Sequence, residues 1–100
     1  MKGGKKAVVI GLLTLDLFLP DAHSLKEKRS LTRPLLEKIR REWNVSVAET
    51  GHGDSWQRTI LAVVSVNTAE PHIQRTFGEI ARLAESGHAV QLLDFSIEII

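Results

Sequence analysis

The chain has 100 residues, with 13 Lys and Arg against 12 Asp and Glu and a formal net charge of +1. That length gives one domain, and that charge is too small to mark a nucleic-acid protein unless the basic residues are clustered. Cysteine is absent, which excludes disulfides, thiolate nucleophiles and cysteine-ligated zinc, and fits a cytoplasmic setting.

Residues 1–6 (MKGGKK) read as a flexible basic tail, and residues 7–100 as the folded domain. The apolar run after the tail is not a signal peptide, because Thr14 and Asp16 interrupt the leucines and no small-residue cleavage site follows. No apolar run approaches the roughly 20 residues needed to span a membrane. Residues 7–19 instead predict a strand, with Leu13, Leu15, Leu17 and Leu19 alternating against Thr14, Asp16 and Phe18. Pro20-Asp21 ends it. Ser24 with Glu27 forms an S-x-x-E capping box, opening a helix that runs to about Trp43. Its packed side is expected to carry Leu25, Leu35, Leu36, Ile39 and Trp43. Pro34 falls on the solvent side, where a bend is expected and not a break.

Val45–Thr50 predicts a second strand, Gly51-His52-Gly53-Asp54 a loop tip, and Trp56–Val66 a returning strand. A second helix opens near Asn67-Thr68, tolerates Pro71 in its first turn, buries Ile73, Phe77 and Ile80, and is expected to close on a left-handed Gly87. Ala89–Ile99 alternates again as a last strand. The order is β-α-β-β-α-β, which predicts an α+β, ferredoxin-like fold: a four-stranded antiparallel sheet with both helices on one face.

Such a sheet has one uncovered face, polar in a domain that works alone. Here that face is expected to carry Val8, Ile10, Leu12 and Phe18 from the first strand and Leu61 and Val63 from the third. A contiguous apolar patch of this kind favours a homodimer through the open face. The alternatives are scattered exposed apolar residues or a different protein partner.

The first helix places Lys26, Arg29, Arg33 and Arg40 within about 60° of one another. Near the positive helix end such a stripe suits phosphate groups, RNA included; the competing reading is a solvated face whose long stems cover apolar edges. His52 and Trp56 sit beside it at the hairpin tip. Trp56 is expected to anchor the hairpin, with recognition as the alternative role. His23, His52 and His88 fall in loops at one end of the fold, which raises a metal-binding or small-molecule enzyme reading, against plain surface histidines. No paired ligand spacing supports the metal. Ser24 serves as a cap and not as a nucleophile, phosphate-loop and dinucleotide glycine patterns are absent, and no cofactor or catalytic residue is expected. Base readout by the sheet is disfavoured, because Phe18 is the one aromatic on the open central strands.

The segments HSLKEKR (His23–Arg29) and NVSVAETGHGDSWQR (Asn44–Arg58) resemble the YlxP-like family of uncharacterised bacterial proteins. The resemblance implies a ferredoxin-like fold, a bacterial cytoplasmic setting and, from genes often neighbouring those of translation and ribosome maturation, an association with RNA or that machinery. It brings no catalytic residue. The combined expectation is a non-enzymatic dimeric binding domain, with a metal or enzyme site at the histidine end, or a purely structural dimerisation module, as alternatives.

Overall fold

Leucine at every second position of β1 (Val9–Phe18) puts one face of that strand wholly out of water: Leu13, Leu15 and Leu17 are all buried. In the computed structural model, which describes residues 7–100, the remaining elements follow as α1 (Leu25–Glu42), β2 (Ser46–Gly51), β3 (Arg58–Asn67), α2 (Glu70–Glu85) and β4 (Gln91–Ile99). The expected basic tail, residues 1–6, lies outside the described residues. The strands form one antiparallel sheet in the order β2-β3-β1-β4, so the fold is ferredoxin-like. The two central strands are β3 and β1, and both edges are single strands.

Both helices pack on the same face. Ile39 of α1 and Ile73, Phe77 and Ile80 of α2 join Leu13, Leu15, Leu17, Leu61 and Val63 in one core. Gly11 allows the closest approach of α2 to β1. A Cβ built there would stand 2.6 Å from Ile73 Cγ2 and 2.9 Å from Phe77 Cε2. Any side chain larger than hydrogen would force Ile73 or Phe77 to shift.

Three expectations are corrected by the structure. Leu61 and Val63 do not face the open side: both are 0% exposed under the helices. They pair with Leu15 and Leu13, and directly opposed residues of an antiparallel ladder share a face. β3 is apolar on both faces, so its period of two does not say which set turns inward. The open face therefore takes Ile60, Ala62, Val64 and Val66.

The packed side of α1 contains Lys28 and Thr32 besides Ile39, with Leu35, Leu36 and Trp43 partly covered. Pro34 stays exposed inside an unbroken helix. At the end of α2, Gly87 is not a left-handed cap; Ser86 closes the helix at φ −77, ψ −17, and its backbone N–H and hydroxyl both donate to Leu83 O. These two hydrogen bonds satisfy one of the last-turn carbonyls without a left-handed residue. Finally, α2 starts at Glu70, because Asn67 Oδ1 accepts from the N–H groups of Thr68 and Ala69 and holds them in a turn.

Candidate partner-binding surface on the first helix and the hairpin tip

The start of α1 is fixed by reciprocal bonds. Ser24 Oγ accepts from Glu27 N at 3.0 Å, while Glu27 Oε1 accepts from His23 N at 2.7 Å. Half of the expected capping box forms, at Ser24 Oγ, while Glu27 reaches one residue further back, to His23 N in place of the N-cap N–H. Lys26, Arg29 and Arg33 face solvent and, with Ser30, Pro34 and Glu37, line a shallow open cleft. Arg40 departs from the stripe: its Nη2 donates to Val47 O at 3.0 Å, across to β2.

The lysine between them does the opposite. Lys28 is 2% exposed, and its ammonium donates to His52 O at 2.7 Å and Ser55 O at 2.8 Å, with Glu49 Oε2 at 3.1 Å. All three donors of the ammonium are used. The same Glu49 oxygen accepts a hydrogen bond from Thr59 Oγ1, so the buried charge of Lys28 is matched by a carboxylate that is itself held. His52 adopts a positive φ of 58 and turns its carbonyl to the lysine; Ser55 N–H closes the turn on that same carbonyl. Nearby, Leu19 N–H donates to Gln57 O and Gln57 Nε2 to Pro20 O, tying the β1–α1 loop to the start of β3. The helix start, the loop and the hairpin tip thus form one rigid unit.

Trp56 is not the anchor expected of it. It is 52% exposed and stands outside the core, leaving its ring beside the tip and free for contact. The hairpin is held by Lys28 instead. His23, His52 and His88 are all exposed, and no three His, Asp or Glu side chains among the described residues come together as metal ligands. At the far end of the helices, Trp43 Nε1 donates to Glu79 Oε1 at 3.0 Å, pinning α1 to α2.

On the open face, Ile10, Leu12 and Phe18 are only partly exposed, whereas Val8, Val64 and Val66 stand well out. An ion pair of Asp16 with Arg58 Nη2, at 2.8 Å, lies within this surface. Arg58 Nε is buried without a partner among the described residues.

The family described as "Protein of unknown function (DUF503)" matches residues 10–97, nearly all of the sheet and both helices. The chain belongs to the DUF503 family. The chain is also 30% identical over 78 residues to the uncharacterised protein YlxP of Bacillus subtilis (strain 168), covering 78% of this chain and 85% of that protein. Among solved structures, the de novo designed protein Foldit4 shares the fold at a TM-score of 0.53 and 15% identity, covering 93% of this chain and 96% of that one. Membership in DUF503 assigns no chemistry, so the argument for function rests on the side chains.

Lys28 was readable in principle: it falls at helical spacing with Thr32, Leu35, Leu36 and Ile39, on the packed stripe. Its acceptors, two backbone carbonyls of a distant loop, leave no mark in sequence.

Proposed function

We propose that this DUF503 protein is a non-enzymatic binding domain that contacts the phosphates of structured RNA, of the kind handled in translation or ribosome maturation, through α1 and the hairpin tip. One observation carries the reading. Lys26, Arg29 and Arg33 project from a rigid helix, and among the described residues no carboxylate pairs with them at ion-pair distance. Unpaired cations have no ion pair to break on meeting phosphates, and counterion release drives the contact. His52 and Trp56 flank the stripe and add a donor and a stacking surface. Arg40, engaged with Val47, belongs to the edge of this footprint.

The domain works in the cytoplasm as a homodimer through the open face of the sheet. The interface includes Val8, Ile10, Leu12 and Phe18, with Val64 and Val66 in the places expected for Leu61 and Val63. No helix among the described residues is long and apolar enough to cross a membrane.

Filter binding to a structured RNA across a salt series tests the RNA contact. Three phosphate contacts predict a log–log slope between about −2 and −3. No retention of RNA at low salt would remove the proposal.

A further inference from the structure

The two edges of the sheet are not alike. The β2 edge is short, carries a register shift between Glu49 and Gly51, and has Arg40 bonded to its Val47 carbonyl. Such features protect an edge from added strands. β4 is longer, and past its one bulge, beside Leu93, the stretch from Phe95 to Ile99 runs regular; of its helix-side residues Phe95 is 46% exposed and Ile99 38%, because α2 covers that strand incompletely.

The ladder shows which backbone groups are free. Ile100 N–H donates to Ile10 O in register with the β1–β4 pairing, so Asp94, Ser96 and Glu98 turn their N–H and C=O groups toward β1. Phe95, Ile97 and Ile99 therefore turn theirs outward. Phe95 N–H has no strand to meet and is held by its neighbour, Asp94 Oδ1, at 2.9 Å.

We propose that the β4 edge pairs antiparallel with β4 of a second copy of this chain, about a two-fold axis at Ile97. Charge selects the register. The charges of β4 are Asp94 and Glu98, both acidic. Axes at Asp94, Ser96 or Glu98 would set carboxylate against carboxylate. An axis at Phe95 would draw the β-bulge beside Leu93 into the new ladder. The axis at Ile97 avoids both faults: Phe95 meets the partner's Ile99, Ile97 meets itself, and Glu98 meets the partner's Ser96. The outward N–H and C=O groups of Phe95, Ile97 and Ile99 are all used, with Phe95 N–H exchanging Asp94 Oδ1 for the partner strand's carbonyl, and the exposed parts of these side chains merge into one apolar row. This contact is separate from the open face, so it stands whether or not that face also pairs.

Sedimentation of the full chain tests it. Ile99→Pro removes an outward N–H and no β1 ladder bond, a substitution an edge strand tolerates. The expected result is a halving of the assembly mass with the far-ultraviolet circular dichroism unchanged. Phe95→Lys, at an exposed position, should halve the mass likewise and provides the reading should Ile99→Pro unfold. A wild-type chain that sediments as a single subunit overturns the proposal. So does a mass untouched by the edge variants, including the case where Val66→Lys alone halves it and locates association on the open face.

Discussion

Lys28→Met is expected to lower the free energy of unfolding by about 3 kcal/mol, toward the low end of the range for breaking a buried ion pair. The substitution keeps the methylene stem that fills the space under β2 but deletes the ammonium. It leaves the carbonyls of His52 and Ser55 without their donor and Glu49 without its cation. The Glu49 side chain is 32% exposed, so water recovers part of its solvation, which is why the high end of the range is not expected. The exposed pair Lys38–Glu42, at 3.8 Å, is the control. Lys38→Met should cost no more than about 0.5 kcal/mol. Urea denaturation of both variants reads the contrast; equal midpoints would mean that the hairpin tip is held by something other than Lys28.

Phe77→Ala should cost about 3–5 kcal/mol, a large share of the ~5–15 kcal/mol available to a domain of this size. Phe77 is fully buried at the centre of the core, where its ring packs against the bare backbone of Gly11. Removing the ring opens a cavity that neighbouring helices and strands cannot close. Gly11→Ala alone should cost about 1–3 kcal/mol by overpacking. Combined with Phe77→Ala it should cost less than the sum, because the new methyl enters vacated space; Ile73, 2.6 Å away, limits the recovery. Thermal or urea unfolding of the four-member cycle measures the coupling, and strict additivity would contradict the packing described.

Much of the fold was legible because local signals agreed with one another. The leucine alternation of β1, the Ser24–Glu27 box and the Gly51–Asp54 tip each mark a boundary with a distinct physical cause, and the βαββαβ order follows. The orientation of β3 was not legible. Its apolar residues occupy both faces, and only pairing with β1 decides that Leu61 and Val63 turn inward with the small polar residues Thr59 and Ser65. The end of α2 was missed for a different reason: Ser86 and Gly87 are both able to close a helix, and the choice rests on a hydroxyl reaching Leu83 O.

The candidate surface divides in the same manner. The exposed stripe of Lys26, Arg29 and Arg33 is a matter of helical spacing and was read from the chain. What makes it rigid was not, because Lys28, Glu49 and Thr59 come from three separate elements and meet only after the sheet has formed. The same holds for Arg40, whose position on the wheel matches the stripe but whose guanidinium is spent on Val47. Trp56 had two readings, and its exposure removes one: a half-exposed ring outside the core does not anchor a hairpin.

In the proposed contact a basic helix face, held in place from behind by a buried lysine, meets phosphates. Reversing two charges on that face tests it with little risk to the fold, since Arg29 and Arg33 are exposed and Lys28 is untouched. For the variant Arg29→Glu/Arg33→Glu, RNA affinity is expected to fall by about one to two orders of magnitude and the salt slope to flatten by about two units, with unfolding midpoints unchanged. A folded variant that binds RNA as tightly as the parent chain, with the same slope, would contradict the account.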